Sequence, residues 1–289
     1  MKKIIGYIKL IRLKHWIKNI LIAVPVFFAG KIWKLDNIIS LVYGFISFGF
    51  VSSIVYILND IQDVDKDRKH EIKKNRPIAS GLISIREGQV LIVILTFIIM
   101  CINFALYKRI QSLSFLIWEV IYLILNILYS VKLKRIPIID IMILTVGFII
   151  RIYYGSAICL IAPSSWLLLT VLSFALYMGT GKRRNELDKV GNGSTRDVLQ
   201  FYTKELLDRY MLIAETLGIV FYSLWVASVI KKHYMIWTVF LVIAIIMKYE
   251  MIIKSDSYGD PVEVLLSDKI LIAMVVLFVA VMYVFMYVV

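Results

Sequence analysis

The chain has few of the residues that build disulfide frameworks, metal triads or hydrolytic triads. It holds two cysteines and three histidines in 289 residues. Cys101 and Cys159 both lie inside apolar runs, which argues against a disulfide framework and against a cysteine-based zinc site. His15, His70 and His233 lack the spacing of a metal triad or of a Ser-His-Asp arrangement. The sequence also has no glycine-rich phosphate loop, so ATP chemistry of that type is unsupported.

Charged residues are scarce as well. They make up 18% of the chain, while hydrophobic residues make up 61%. A soluble domain averages about 25% charged and about 45–50% apolar residues, so a water-soluble globule fits poorly. In so hydrophobic a chain, the net charge of +13 indicates basic cytosolic loops and anionic substrates. We therefore expect a membrane protein that binds no nucleic acid.

Nine apolar stretches predict an all-α, polytopic membrane protein with one integral-membrane domain over 1–289. The first eighteen residues hold six basic side chains and no long apolar core. Residues 1–18 are therefore predicted to be a basic amphipathic segment on the membrane surface rather than a cleaved signal peptide. The nine predicted transmembrane helices lie at 17–30, 38–58, 87–107, 112–130, 137–160, 165–181, 210–230, 234–253 and 269–288.

The distribution of lysine and arginine predicts how these helices are oriented. With the N-terminus in the cytosol, 26 of the 33 basic residues lie on the cytosolic side, six lie in outer loops, and Arg151 lies within a span. The polar segments 59–86 and 182–209 are then cytosolic. Each follows an even-numbered span, which predicts two half-bundles that face one active site on the cytoplasmic side of the cell (inner) membrane.

An acidic run lies at the cytosolic end of the second predicted span. Asn59, Asp63 and Asp67 fall on one stripe of a helix, while Asp60 lies beside it. Crowded carboxylates repel each other, so a cation is expected to compensate them. Carboxylate and amide oxygens suit Mg²⁺, which usually binds one or two carboxylates together with substrate phosphates. This predicts a Mg²⁺–diphosphate site made of Asn59, Asp60, Asp63 and Asp67, whose three aspartates are the predicted catalytic residues.

A competing interpretation of this run is a solvated helix end. In that case its acids form surface ion pairs with Lys66, Arg68 and Lys69. The one-sided arrangement, from which Asp65 points away, and the basic segment that follows favour a binding site instead. That basic segment carries Lys73, Lys74 and Arg76.

The second cytosolic loop begins with a basic run after the sixth span. Lys182 and Glu186 are four residues apart and share a helix face, with Arg183 adjacent. Arginine binds phosphate through paired N–H donors and lysine supplies a compact charge, so this composition suits a ligand with several phosphates. The alternative is the basic anchor that any cytosolic loop can carry. Opposite an acidic, metal-binding helix, phosphate binding is the favoured interpretation.

Four ionisable residues fall within predicted spans, where charge is costly and normally faces the bundle interior. Asp140 lies near the cytosolic end of the fifth span and is predicted to line the site. Glu119 and Arg151 lie at similar depth and are predicted to form a structural ion pair, while Glu215 has no obvious partner. An alternative function is a transporter with Asp140 and Arg151 on its path, but the sequence shows no convincing pair of broken helices.

Taken together, these residues resemble the UbiA superfamily of intramembrane prenyltransferases over essentially the whole chain. The pattern Asn59-Asp60-x-x-Asp63-x-x-x-Asp67 matches the first aspartate-rich motif of that superfamily. The closer likeness is to its polyprenyl-phosphate phosphoribosyltransferase branch. Where many members carry a second aspartate-rich motif, this chain has a Lys-Arg-Arg run and a single glutamate, which disfavours prenylation of an aromatic acceptor. The branch likeness is carried by 12–19, 74–81, 182–187 and 260–268.

The resemblance implies Mg²⁺-dependent transfer of 5-phosphoribose from phosphoribosyl diphosphate (PRPP) to a polyprenyl phosphate. The products are diphosphate and polyprenyl-phosphoryl-5-phosphoribose, a precursor of arabinose donors for the cell envelope. The alternative is a UbiA-type enzyme that moves a prenyl group from prenyl diphosphate to an aromatic acceptor. The sequence leaves open whether the protein forms a homo-oligomer. The predicted substrate-binding residues are Lys18, Asn19, Lys73, Lys74, Arg76, Asp140, Lys182, Arg183 and Glu186.

Overall fold

The structure is a computed structural model that describes residues 2–70, 73–188, 197–228, 233–255 and 260–288. Within these ranges the regular secondary structure is entirely helical, which confirms the predicted fold class. The α-helices are α1 (Lys2–Ile11), α2 (Val24–Phe28), α3 (Leu35–Gln62), α4 (Val64–Arg68), α5 (Ile85–Ile110), α6 (Ser114–Val131), α7 (Ile139–Cys159), α8 (Ser165–Asp188), α9 (Lys204–Ser228), α10 (Thr238–Ser255), α11 (Pro261–Ser267) and α12 (Lys269–Tyr287). Shorter 3₁₀ segments lie at Leu13–Ala23, Lys73–Asn75, Leu133–Arg135, Asp197–Phe201 and His233–Trp237.

Seven helical segments of the described chain are long and apolar enough to cross a membrane. They are α3, α5, α6, α7, α9, α12 and the segment Tyr234–Ser255, which contains α10. The predicted count of nine is therefore not reproduced. The predicted span 17–30 falls on the 3₁₀ segment Leu13–Ala23 and the short helix α2. The predicted span 165–181 falls on α8, which continues as one helix past Gly181 through the polar residues from Lys182 to Asp188.

Side-chain caps fix where several helices begin. At α5 the Ser84 hydroxyl accepts from the Glu87 N–H at 3.2 Å, and the Glu87 carboxylate accepts from the Ser84 N–H at 2.8 Å. This reciprocal capping box satisfies two backbone donors. Lys3 pairs with the same glutamate at 2.8 Å, which joins α1 to the start of α5.

The chain divides into two compact units. The first contains residues 1–130 and 150–162, and the second contains residues 131–149 and 163–289. Each unit carries one of the two polar segments that the sequence singled out, 59–86 in the first and 182–209 in the second.

An aromatic cluster lies inside the first unit. The ring of Phe48 packs against those of Tyr122 and Tyr154, with centroids 4.8 and 5.0 Å apart. The 3₁₀ segment Leu13–Ala23 packs closely against α7, because a Cβ atom at Gly155 would lie 1.9 Å from the Ile22 carbonyl oxygen. Only glycine at position 155 permits this approach.

The second unit has a core in which Tyr202 packs with apolar side chains. Just before α7, Ile138 has a φ of 68°, a left-handed conformation that is disfavoured for a β-branched residue. The N–H of Ile138 donates to the hydroxyl oxygen of Tyr202 at 2.6 Å, which holds the backbone in place. The core residues are Ile141, Val198, Leu199, Tyr202 and Leu207.

Candidate active site

The predicted acidic stripe lies at the end of α3, where the helix changes direction. Asp63 caps α3 with φ −94° and ψ 9°, and α4 begins at the next residue. Backbone hydrogen bonds still run from Asp63 N–H to Asn59 oxygen at 2.9 Å and from Asp67 N–H to Asp63 oxygen at 2.8 Å. The four-residue spacing of the stripe therefore persists through the break.

Two of the aspartates are buried together against one arginine. Asp60 is 2% exposed and Asp67 is 4% exposed. Arg76 Nη1 lies 3.0 Å from Asp60 Oδ1 and 2.7 Å from Asp67 Oδ2, so a single guanidinium bridges both carboxylates. The cation expected to compensate the crowded acids is thus supplied in part by the basic segment after α4.

A second arginine, which sequence reasoning missed as a site residue, binds one member of this pair, Asp60. Arg12 Nη2 lies 2.6 Å from Asp60 Oδ1, and its guanidinium carbon stands 4.6 Å from the centre of the Tyr56 ring. Arg12 has a left-handed backbone, with φ 55° and ψ 48°, at the junction between α1 and the 3₁₀ segment. Its only signal in the sequence was its place at the start of the 12–19 likeness.

The aspartates differ in how accessible they are. Asp65 is 86% exposed and forms a 3.5 Å surface pair with Arg68, as the solvated interpretation requires. That interpretation does not fit Asp60 and Asp67, which are buried and bonded to Arg12 and Arg76. The structure therefore separates one surface acid from a buried pair within the same run.

A divalent cation such as Mg²⁺ requires oxygen ligands. Asp60 Oδ2 is buried and has no hydrogen-bond partner in the part of the chain that the structure describes. An unshared, buried carboxylate oxygen is a suitable ligand for Mg²⁺, which takes one or two carboxylates and fills its shell with phosphate or water. No group of three or more acidic, histidine or cysteine side chains forms a ready-made metal site among the described residues. The unshared oxygen of Asp60 fits a cation whose other ligands come from phosphate or water.

The remaining predicted residues of the first unit lie at different depths. The Asn59 amide oxygen accepts a hydrogen bond from the Ser130 hydroxyl of α6. Lys74 is exposed, and Lys73 is partly buried at the 3₁₀ turn that leads to Arg76. The predicted binding residues Lys18 and Asn19 lie within the 3₁₀ segment Leu13–Ala23, where Lys18 is partly buried and Asn19 is 1% exposed.

In the second unit, the basic run at the end of α8 holds a buried ion pair. Arg183 Nε donates to Asp140 Oδ2, and both side chains are fully buried. Arg183 Nη1 lies 2.7 Å from Glu186 Oε2, while Lys182 lies 3.8 Å from Asp260. The structure shows Arg183 fixing Asp140 and Glu186, and direct contact between these residues and a substrate remains a prediction.

Tyr202 completes this buried network. Its hydroxyl donates to Asp140 Oδ1 at 2.7 Å while accepting from the N–H of Ile138. Burial raises the pKa of Tyr202 well above its ordinary value, so the hydroxyl keeps the proton that it donates. The start of α7, the end of α8 and the 3₁₀ segment Asp197–Phe201 with its successor Tyr202 are tied together by these bonds.

The predicted ion pair between Glu119 and Arg151 does not form among the described residues. Glu119 instead accepts from Ser47 at 2.8 Å and from Asn103 at 2.6 Å. Arg151 donates to Asn19 and to other polar groups of the first unit. Similar depth along two helices did not place the two side chains on facing sides.

The comparison with known protein families decides the classification. The UbiA prenyltransferase family matches residues 20–265, which is most of the chain. The chain belongs to the UbiA prenyltransferase family. The resemblance inferred from the aspartate-rich motif is therefore confirmed, and the protein is a multi-pass membrane transferase of the UbiA family.

Individual relatives of this UbiA member cover nearly all of it. The decaprenyl-phosphate phosphoribosyltransferase of Corynebacterium glutamicum is 32% identical over 278 residues, covering 92% of this chain and 82% of the relative. The protein of that name in Mycolicibacterium smegmatis is 29% identical over 285 residues, covering 92% and 87%. A UbiA homologue from Archaeoglobus fulgidus, solved with DMAPP and Mg²⁺, superimposes with a TM-score of 0.71 at 18% identity, covering 97% of this chain and 99% of the other. This structural match shows the shared fold.

Proposed function

We propose that the protein transfers 5-phosphoribose from PRPP to a polyprenyl phosphate and releases diphosphate. A transferase that acts on a prenyl phosphate is supported by the UbiA family and by two relatives named decaprenyl-phosphate phosphoribosyltransferase. The observation that carries the proposal is the buried pair Asp60 and Asp67, which Arg76 bridges while Arg12 also binds Asp60. Such a set presents oxygen ligands for a metal beside guanidinium donors for phosphate, which is what a diphosphate donor requires.

We assign Mg²⁺–diphosphate binding to this acidic pair, with Asn59 and Asp63 as further predicted ligands. The unshared Oδ2 of Asp60 supports that assignment, as does the Mg²⁺ in the A. fulgidus homologue. When bound, Mg²⁺ supplies Lewis-acid stabilisation of the charge on the departing diphosphate.

The two arginines have a second role in this scheme. Arg76 uses Nη1 to bind both carboxylates, and Arg12 uses Nη2 to bind Asp60. Each guanidinium has five N–H donors in a planar fork, so donors remain for phosphate oxygens. Asp60 and Asp67 would hold the cation, and the remaining N–H donors of Arg12 and Arg76 would bind oxygens of the diphosphate.

The reaction itself needs few catalytic groups. An oxygen of the lipid phosphate forms a bond to C1 of the ribose while the bond from C1 to the diphosphate oxygen breaks. The lipid phosphate is ionised at neutral pH, so no general base is required. Charge develops on the leaving diphosphate, and the cations of the site are placed to stabilise it. We further propose that the site faces the cytoplasm and that the product serves arabinose donor synthesis for the cell envelope.

The basic run at 182–186 is predicted to hold the donor as well. Lys182 lies at the same end of α8 as the buried Arg183, and its side chain is partly exposed. Lys182 is predicted to bind a phosphate of the donor. That this run and the 59–67 stripe bind one donor molecule stays a prediction of the sequence.

The proposal is tested with membranes that contain the full chain. One reaction supplies labelled PRPP and polyprenyl phosphate, and a parallel reaction supplies labelled prenyl diphosphate and an aromatic acceptor. We expect label to enter the lipid fraction from PRPP only when polyprenyl phosphate and Mg²⁺ are present, and to stop with EDTA. Product only from the prenyl diphosphate reaction would overturn the proposal in favour of aromatic prenylation.

Two substitutions in the same acidic run serve as test and matched control. Asp67→Asn removes one charge from the buried pair and is expected to lower the rate by about 100-fold or more. Asp65→Asn makes the same chemical change at a residue that is 86% exposed, so the rate should stay close to wild type. Equal loss in both variants would show that the buried pair has no special role.

A further inference from the structure

The 3₁₀ segment Leu13–Ala23 has an unusual backbone for its place in a membrane protein. Runs of 3₁₀ helix longer than three or four residues are uncommon, yet this one has eleven residues. Trp16 Nε1 donates to Ser53 Oγ of α3 at 3.1 Å, and Ile22 approaches the backbone of Gly155 in α7. Irregular backbone at membrane depth is tolerated where it is buried in protein or lines a cavity. The segment is therefore held in place by the helices around it.

Arg151 of α7 fixes one side chain of that segment. Its Nε donates to Asn19 Oδ1 at 2.8 Å, and its Nη2 donates to the Tyr122 hydroxyl at 3.1 Å. The guanidinium carbon also lies 5.1 Å from the centre of the Phe48 ring and 4.9 Å from that of Tyr122. Arg151 is 5% exposed and Asn19 is 1% exposed, so both groups are locked by packing as well as by hydrogen bonds.

The chemistry of arginine decides how the asparagine amide is turned. A guanidinium donates hydrogen bonds and cannot accept them, so the amide oxygen of Asn19 must face Arg151. The amide nitrogen then points away from Arg151. Within the described residues, Nδ2 of Asn19 has no hydrogen-bond partner although it is buried. A buried donor without an acceptor is unfavourable unless a ligand or water accepts from it.

The surroundings of this donor are positively charged. Lys18 is the next residue in the chain, and Lys18 and Arg151 both interact electrostatically with the hydroxyl groups of Tyr56 and Tyr122. A buried N–H donor in positively charged surroundings favours an anionic acceptor over a neutral one. Phosphate is the anion that both proposed substrates carry.

We propose that Arg151 is a positioning residue that turns the Asn19 amide so that Nδ2 binds a phosphate oxygen of a substrate. This inference rests on the proposed function, in which PRPP carries a 5-phosphate and the acceptor carries a lipid phosphate. Lys18 supplies charge to the same group. Arg151 acts through Asn19 and does not contact the reacting atoms.

The decisive variant is Asn19→Asp, because it separates a structural role from a binding role. The carboxylate still accepts from Arg151, and the charge attraction strengthens that bond, so thermal stability should be equal to wild type or higher. The variant loses the Nδ2 donor and places a negative charge where phosphate would bind. We expect the KM for one of the two substrates to rise by about tenfold or more.

The measurement compares KM for PRPP with KM for polyprenyl phosphate in wild type and Asn19→Asp. A rise confined to PRPP assigns the 5-phosphate to Asn19, and a rise confined to the lipid assigns the lipid phosphate. A stable variant with both KM values unchanged overturns the inference and leaves the proposed function standing. Asn37→Asp is the matched control, because it makes the same change at a buried asparagine near the start of α3, at the opposite end of that helix from Asp60. It should change neither KM.

The role of Arg151 is tested through coupling with Asn19. We expect Arg151→Lys, which keeps the charge, to raise the same KM as Asn19→Asp, and we expect the double variant to be no worse than the poorer single variant. Independent, multiplicative effects on that KM would overturn the positioning role. If wild type transfers no phosphoribose, the proposed function fails. The subsite is then tested by the thermal shift that inorganic phosphate gives wild type, which Asn19→Asp should lose and which overturns the inference if the variant keeps it.

Discussion

Replacing Arg183 by methionine gives the sharpest test of how the second unit is held together. Arg183 and Asp140 are both fully buried, and the arginine binds Asp140 through Nε and Glu186 through Nη1. Methionine fills similar space but leaves the Asp140 carboxylate buried with the Tyr202 hydroxyl as its remaining described partner. Breaking a buried ion pair by removing one partner costs about 3–5 kcal/mol.

That cost translates into a measurable change in melting temperature. In a domain of about 150–250 residues, 1 kcal/mol shifts the midpoint by about 2–4 °C, so Arg183→Met should lower it by about 6–20 °C. Replacing both partners, with Asp140→Leu added, removes the stranded charge and should bring the midpoint back toward wild type. If the variants acted only by losing contacts, the double variant would melt lower than Arg183→Met, so recovery would show that the stranded charge causes the destabilisation.

The assay heats detergent-solubilised protein and measures the fraction that remains monodisperse by size-exclusion chromatography. Arg109→Met is the matched control, because Arg109 pairs with the exposed Asp36 and surface pairs contribute about 0–1 kcal/mol. An Arg183→Met variant that melts within about 2 °C of wild type would contradict this expectation, because the shift lies below the range expected for a buried pair. A double variant that melts lower than Arg183→Met alone would also contradict it.

Two further substitutions probe backbone packing. Gly155→Ala should destabilise the first unit and lower transferase activity, because the added Cβ would lie 1.9 Å from the Ile22 carbonyl oxygen. A variant with the melting midpoint and the rate of wild type would contradict this close packing. Tyr202→Phe removes the hydroxyl that donates to Asp140 and accepts from Ile138. In the same heating assay the melting midpoint should fall by an amount equivalent to about 1–3 kcal/mol. An unchanged midpoint would show that water replaces the hydroxyl.

The helices were predicted well where a long apolar run has one explanation. The predicted spans 38–58 and 87–107 lie inside Leu35–Gln62 and Ile85–Ile110. The first predicted span was wrong as a continuous α-helix, since its residues form the 3₁₀ segment Leu13–Ala23 and then α2. Apolar composition indicates that a segment is buried away from water, but it does not indicate which carbonyl each N–H bonds. In this segment, contacts with α3 and α7 determine that pattern.

The site was predicted in part for a similar reason. Asp60 and Asp67 were found because a cluster of carboxylates is conspicuous in an apolar chain, and their partner Arg76 follows closely. Arg12 lies 48 residues from Asp60 and is one of six basic residues in a short segment, so nothing local marks it as a site residue. The expected pairing of Glu119 with Arg151 failed because depth along a helix does not give the direction in which a side chain points.

The left-handed backbone at Ile138 bears on how variants of this transferase are best screened. A branched residue in that conformation costs about 1–2 kcal/mol, whereas glycine there would relieve the strain but add about 0.5–1 kcal/mol of unfolded-chain entropy. The relieved strain is the larger of the two effects, so a saturation library at position 138 should enrich glycine, and also asparagine, which tolerates this conformation. Proline should be depleted, since its φ is fixed near −65° and it has no N–H to give Tyr202.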